Sequence, residues 1–335
     1  MNIQIIAEAG VNHCGSADMA RRMVDVARNA GVDYIKFQTF KTECIVNRSA
    51  RQADYQRRNL AGQSDDSQFY MLRALELSYD SFSELNDYCR RSGTRFLSTP
   101  FDLPSIDFLA TLDMDYWKLP SGEITNLPYL RKIAAYRRPV IMSTGMSTPE
   151  EIEDAMRVLT DGGLDCGMIT LLHCNTEYPT PMADVNLRAM ETLRQRFGTR
   201  VGYSDHTRGI EVAIAAAALG AEVIEKHFTL DKTLPGPDHV ASLDPDELTA
   251  MVAAIRNIEA ALGDGCKRVT DSERANRTAA RKSIVAARDI APGEIFSESN
   301  LTVKRPGNGI SPMRLPEIIG QASPRQFFAD ELIEL

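Results

Sequence analysis

Between Val201 and Ala241 the chain reads V-G-Y-S-D-H-T-R-G, then a run of small residues, then V-I-E-K-H-F-T-L, then P-G-P-D-H. Two apolar segments each run into a histidine, His206 and His227, with Asp205, Glu225 and Lys226 beside them. Charged and polar groups are costly to bury in a strand unless something there uses them. The stretch therefore reads as two neighbouring strands joined by a helix, their ends holding a metal in a substrate pocket.

The same alternation extends in both directions. Ile3 to Ala7 is an apolar run leading into Glu8 and His13, and Ser16 caps a helix with an apolar face of Met19, Met23, Val26, Ala27 and Ala30. Gly31 stops that helix and a strand from Asp33 to Gln38 follows at once. Strand patterns recur at Arg95–Pro100, Tyr116–Glu123, Pro139–Gly145, Met168–Asn175, Arg200–Ser204 and Val223–Phe228. A last helix opens at Asp244 and is predicted to bury Leu248, Met251, Val252, Ile255, Ile258 and Leu262. Eight strands alternating with helices predict a (β/α)8 TIM barrel over residues 1–265. A doubly wound sheet fits less well, because no Gly-x-Gly-x-x-Gly follows the first strand.

A polar insertion between Phe40 and Leu77 is expected to form a mobile loop over the barrel mouth. Residues 266–280 read as a linker, and 281–335 as a separate small module that needs something to pack on. A net charge of -8 speaks against a nucleic-acid or membrane-surface binder. No apolar run approaches the roughly 20 residues of a membrane helix. The six cysteines are scattered, as expected of reduced thiols in a cytoplasm, and Cys14 and Cys174 read as small apolar fillers.

The polar outliers fall on this scheme with a pattern. Glu8, Lys36, Gln38, Thr99, Lys118, Ser121, Glu123, Ser143, Asn175, Ser204, His206, Glu225 and His227 all lie at or just past C-terminal strand ends. In a barrel those ends meet on the face where active sites are built. His13 and His173 are read as structural hydrogen bonders. His206 and His227, on adjacent strands, suit a metal such as Mn, Fe, Co or Zn with positions left open for substrate oxygens. Lys36 and Lys118 with Thr99, Ser121, Ser143 and Ser204 make a cradle for phosphate and carboxylate. Glu8, Glu123, Glu225 and Asp238 are candidates for proton transfer or for binding sugar hydroxyls. Arg305 sits in a rigid Pro-Gly-Asn-Gly turn that can present it to a pocket.

These residues resemble the sialic acid synthases along the whole chain. The resemblance rests on I-A-E-A-G-V-N-H at Ile6 to His13, K-F-Q at Lys36 to Gln38 and S-T-P-F at Ser98 to Phe101. It continues through K-L-P-S-G-E from Lys118, S-T-G-M from Ser143, Y-S-D-H-T from Tyr203 and I-E-K-H-F-T from Ile224. G-P-D-H from Gly236 and K-R-P-G-N-G-I from Lys304 complete it. The family implies a barrel followed by a small antifreeze-like (SAF, β-clip) domain, in a domain-swapped homodimer where that domain covers the partner's barrel. It implies condensation of phosphoenolpyruvate with an N-acylated mannose-type sugar to a nine-carbon 2-keto acid and phosphate. N-acetylmannosamine is the first acceptor expected, and 2,4-diacetamido-2,4,6-trideoxymannose, giving N,N'-diacetyllegionaminate, the alternative. By motif, His206 and His227 would bind Mn2+, with Mg2+ or Co2+ as alternatives. Lys36, Thr99, Lys118, Ser121, Ser143, Asn175 and Ser204 would hold phosphoenolpyruvate. Gln38, Glu123, Tyr178, Asp238 and a trans Arg305 would face the sugar, with Glu8 and Glu225 positioning water and moving its proton. The rivals are a Schiff-base aldolase using Lys36, Lys118 or Lys226, a synthase for a phosphorylated sugar, and a non-catalytic sugar or ice binder.

Overall fold

A computed structural model describes residues 3–60 and 66–335, which fall into two compact units, Met1–Gly263 and Asp264–Leu335. In the first unit, strand β1 (Gln4–Gly10) leads to helix α1 (Ala17–Ala30) and strand β2 (Tyr34–Thr39). Three short helices follow, α2 (Thr42–Ile45), α3 (Asp54–Asn59) and α4 (Gln68–Leu75), then α5 (Tyr79–Ser92). The βα alternation resumes with β3 (Arg95–Pro100), α6 (Leu103–Ala110), β4 (Trp117–Leu119), α7 (Leu127–Ala135), β5 (Val140–Ser143) and α8 (Pro149–Asp161). It ends with β6 (Ile169–His173), α9 (Ala189–Phe197), β7 (Arg200–Asp205), α10 (Glu211–Ala218), β8 (Val223–His227) and α11 (Pro245–Leu262).

Local chemistry sets these boundaries. Ser16 accepts from the Met19 backbone at the start of α1, and Gly31, at φ 78°, closes it in the left-handed conformation. Between them Ala20, Met23, Val24, Ala27 and Ala30 form the buried stripe. Reciprocal capping boxes, Thr148 with Glu151 and Asp244 with Glu247, start α8 and α11. Leu262, expected inside, is instead 43% exposed, and the last three residues of α11 are all exposed.

The eight parallel strands are hydrogen-bonded in the order β3-β2-β1-β8-β7-β6-β5-β4. Pairing of β1 with β8 joins the two ends of the chain's alternation, and β3 and β4, at the ends of the ladder, pack side by side. This is the (β/α)8 barrel. Its strands are buried on both faces, as helix-covered parallel strands must be. At Gly202 a Cβ would collide with the Val223 carbonyl and with Leu172, so only glycine lets β6, β7 and β8 close together here.

The insertion after β2 differs from the loop expected. The helices α2 and α4 turn Ile45, Met71, Leu72 and Leu75 onto Val11, Phe40 and Phe101, giving the segment a small apolar core of its own.

The second unit begins with α12 (Asp271–Ala280), exposed along its length, where a plain linker was expected; a capping box of Thr270 and Glu273 starts it. Strand β9 (Ser283–Ala286) pairs antiparallel with β10 (Leu301–Lys304), and α13 (Leu315–Ile318) follows. Ile284, Ile290, Phe296, Leu301, Ile318, Phe327 and Ile333 form a core within this unit, which the length alone did not lead one to expect.

Candidate active site

The period-two alternation of each strand sends its polar end-residues into one cavity of 640 Å3 at the C-terminal end of the barrel, within the usual range for small-molecule sites. Its floor carries two ammonium and two carboxylate groups, from β2, β4, β1 and β8, all buried. Lys36 Nζ lies 2.8 Å from Glu8 Oε2 and 3.7 Å from Glu225 Oε2, and donates to Thr99 Oγ1 at 3.0 Å. Lys118 Nζ lies 3.6 Å from Glu225 Oε1 and donates to Ser143 Oγ at 2.7 Å. Ser204 Oγ donates to Glu225 Oε1 at 2.9 Å, and Gln38 Nε2 to Glu8 Oε1 at 3.1 Å.

The two carboxylates differ electrostatically. Burial pushes Glu8 up to about 7; Lys36 opposes the shift and the charge of Glu225 reinforces it. Burial pushes Glu225 up as well, but Lys118 and Lys36 together outweigh it and hold its carboxyl below the usual range. Burial lowers Lys118 despite Glu225. It also acts to lower Lys36, where the two glutamates prevail and the ammonium is held above its ordinary value.

The two histidines stand beside this floor with ring centres 5.3 Å apart and planes at 64°. Burial depresses both, His206 to about 4 and His227 well below its ordinary value, so both are neutral imidazoles. His206 Nδ1 donates to the Asn175 carbonyl, which leaves Nε2 as the bare lone pair. Tyr178 Oη reaches that nitrogen at 3.1 Å and stacks on the ring at 4.1 Å. His227 Nδ1 is buried without a hydrogen-bond partner. Two imidazoles bound to one ion at about 2.1 Å and meeting at roughly 100–110° have ring centres roughly 5 Å apart, so spacing and donor chemistry both fit a divalent metal. Among the described residues no group of three or more such side chains has that arrangement.

Ser121 and Glu123 also line the cavity, Ser121 Oγ accepting from Gly145 N at 2.9 Å. Asp238 lines the rim and burial raises it to about 7. Asn175 does not line the cavity: its side chain accepts from Glu177 N at 2.8 Å, and its carbonyl orients His206. Arg305, in the other unit, is exposed and donates from Nε to Ala280 O at 3.0 Å. His13 and His173 behave as structural groups, accepting from Gly15 N and bonding Val185 O respectively. Lys226 faces away from the cavity, toward Asp205.

Several lining residues went unread in the sequence. Tyr55 on α3 stacks on Tyr178 at 5.0 Å, and Asn59 ties the Tyr178 and Pro237 carbonyls together. Cys174 is no mere filler, since it lines the cavity with Sγ 3.3 Å from Ser121 Oγ. Cys14 likewise bonds His239 at 3.3 Å. One wall is apolar: Val11, Phe40, Ile45, Met71, Leu72 and Leu75. The only signal for it was the handful of apolar residues inside the insertion.

The family model of the NeuB family matches residues 23–267, and that of the SAF domain residues 281–334. The chain is 51% identical to an N,N'-diacetyllegionaminic acid synthase of Campylobacter jejuni, over 98% of both chains. It is 45% identical to an N,N'-diacetyllegionaminic acid synthase of Legionella pneumophila, over 96% of this chain and 90% of that one. A crystal structure of an N-acetylneuraminic acid (sialic acid) synthetase from Leptospira borgpetersenii, in complex with citrate, superposes with a TM-score of 0.70. It is 32% identical, covering 82% of this chain and 90% of the other. The chain belongs to the NeuB family, the sialic acid synthases with a C-terminal SAF domain.

Proposed function

We propose that the chain condenses phosphoenolpyruvate with the open-chain form of 2,4-diacetamido-2,4,6-trideoxymannose and water, yielding N,N'-diacetyllegionaminate and phosphate. The observation that carries the reading is the floor of two lysines and two oppositely shifted glutamates beside a pair of neutral histidines. Lys36 and Lys118, with the hydroxyls of Thr99, Ser121, Ser143 and Ser204, bind the phosphate and carboxylate of phosphoenolpyruvate. Asn175 contributes by orienting His206 rather than by touching substrate. A divalent ion on His206 and His227, Mn2+ first and Mg2+ or Co2+ as alternatives, supplies Lewis-acid polarisation of the sugar aldehyde.

Carbon 3 of phosphoenolpyruvate bonds to the aldehyde carbon, and the aldehyde oxygen takes a proton from Glu8, which is half protonated near pH 7. Water adds to carbon 2 and gives its proton to Glu225, the carboxylate that stays ionised. The C–O bond to phosphate then breaks, the hydroxyl proton leaves with phosphate, and the 2-keto group remains. Lys36, within reach of both carboxylates, keeps their charges balanced as the proton moves.

N-acetylmannosamine was the first acceptor expected. Two relatives at 51% and 45% identity carry the legionaminic name, which favours the diacetamido sugar. The apolar wall of Val11, Phe40, Ile45, Met71, Leu72 and Leu75 suits a sugar with a methyl at C6 and a second acetamido group. Among the described lining residues the cations are Lys36 and Lys118, both engaged by the phosphate and carboxylate of phosphoenolpyruvate, which disfavours a phosphorylated acceptor. Gln38, Glu123, Tyr178 and Asp238 meet the sugar's polar groups. Arg305 completes the site in trans, from the SAF domain of a partner in a domain-swapped homodimer, and the enzyme works in the cytoplasm. Among the described residues no helix is long and apolar enough to cross a membrane.

The test is side-by-side phosphate release and product mass with Mn2+, phosphoenolpyruvate and each sugar. A higher kcat/KM for the diacetamido sugar is expected, abolished by EDTA. A preference for N-acetylmannosamine would overturn the acceptor, and activity indifferent to EDTA would overturn the metal.

A further inference from the structure

Glu225 and His227 face the cavity, so Lys226 between them faces the opposite way, out of the barrel toward its helical shell. There its side chain is 0% exposed, and so is that of its partner Asp205. The β7–β8 ladder sets Asp205 directly opposite Lys226. Lys226 Nζ lies 2.8 Å from Asp205 Oδ2 and donates to Thr207 O at 2.6 Å. The other oxygen of Asp205 accepts from Thr207 N at 2.9 Å and from Thr207 Oγ1 at 2.7 Å.

A well-packed apolar pair in the same space would hold two strands at least as firmly as a buried ion pair, so stability alone does not account for these charges. Their placement does. Asp205 and Thr207 are the chain neighbours of His206 on either side, and Lys226 is the neighbour of His227. The network wraps residues 205–207 and ties them to residue 226, so it fixes the backbone of both imidazole-bearing positions from outside the barrel. Inside, His206 is held through its own ring and through Thr180 N donating to its carbonyl at 2.9 Å.

We propose that Asp205, Lys226 and Thr207 are positioning residues for the metal pair, setting the distance and angle between His206 and His227 without touching metal or substrate. The inference rests on the proposed metal role of those histidines. Groups that orient metal ligands from behind typically change metal affinity 10–100-fold when removed.

The experiment titrates Mn2+ into the full-length protein and reads free Mn2+ by electron paramagnetic resonance, with thermal unfolding of each variant alongside. Wild type is expected to bind Mn2+, and His206→Ala to lose that binding. The double variant Asp205→Leu/Lys226→Met, which takes these partners from Thr207 N, Oγ1 and O, is expected to unfold at a somewhat lower temperature but to remain folded, while its Kd for Mn2+ rises at least tenfold. Thr207→Val, which keeps the shape and removes only the hydroxyl links, is expected to raise Kd threefold or more, and it decides the matter if the double variant does not fold. Wild-type Mn2+ affinity in a folded double variant, or in Thr207→Val if that variant must decide, would overturn the positioning role alone. Absence of Mn2+ binding in wild type, or full binding in His206→Ala, would overturn the metal reading beneath it.

Discussion

Glu8 and Glu225 flank the same ammonium group, that of Lys36, at 2.8 and 3.7 Å, yet their surroundings shift them in opposite directions. Pairs of titratable groups pushed apart in this way divide acid and base roles between them. Glu8 has one ammonium, Lys36, and the Gln38 amide against the penalty of burial, whereas Glu225 has two ammonium groups, Lys36 and Lys118, and the Ser204 hydroxyl.

Phosphoenolpyruvate binding is therefore expected to take up a proton. A carboxyl at about 7 is half protonated at neutral pH, and an incoming anion raises it further. The complex then holds more protons than the free protein, so affinity falls as pH rises above about 7. The limiting slope is about tenfold per pH unit for one proton. Calorimetry in buffers of different ionisation enthalpy measures the uptake, and Glu8→Gln should remove both the uptake and the slope.

Glu225→Gln removes the group proposed to accept the proton of the attacking water. The expected loss in kcat is roughly 100- to 10,000-fold. Phosphoenolpyruvate should bind at least as tightly as before, because a carboxylate facing the anion has gone. Steady-state rates together with direct binding separate the two effects; a weakened Kd with unchanged kcat would assign Glu225 to binding instead.

Leu72→Asn places an amide in the apolar wall of the cavity. A lost methyl-sized contact in an apolar pocket changes kcat/KM by roughly 10-fold or more. The loss should fall on the diacetamido sugar, with little change for N-acetylmannosamine and none in the KM for phosphoenolpyruvate. Equal losses for both sugars would remove the wall from acceptor selection.

Trans action of Arg305 is tested by mixing two inactive variants, His206→Ala and Arg305→Ala, under conditions that exchange subunits. A mixed dimer then has one barrel with intact histidines that receives an intact arginine from its partner. Random pairing predicts recovery to roughly a quarter of wild-type activity. Recovery of none would place Arg305 in cis, and wild-type activity of Arg305→Ala on its own would place it outside the site.

The barrel was legible because each strand–helix unit carries its own punctuation, such as Ser16 and Gly31 around α1. The site was legible because charged and hydroxyl residues at the ends of apolar strands are costly to bury unless a ligand engages them. Asn175 is less simply placed than strand position suggests: just past β6 the chain turns, and its amide oxygen accepts from Glu177 N. Tyr55, Met71 and Leu72 lie in helices of six and eight residues, too short to show a clear period, so their place at the cavity appears only in three dimensions. Helix α12 carried a readable signal in Thr270 and Glu273, but the glycines and charges around it read as a linker. Lys226 groups with the cavity-facing lysines by strand position alone, although period-two alternation with Glu225 and His227 turns it outward.

The fate of the bridging oxygen of phosphoenolpyruvate discriminates most sharply. With 18O in the C–O–P position, Mn2+ and 2,4-diacetamido-2,4,6-trideoxymannose, water attack at carbon 2 puts the label in the released phosphate and leaves the keto acid unlabelled. Label retained in the nine-carbon keto acid, or no phosphate released at all, would contradict the roles assigned to Glu8, Glu225 and the lysine cradle.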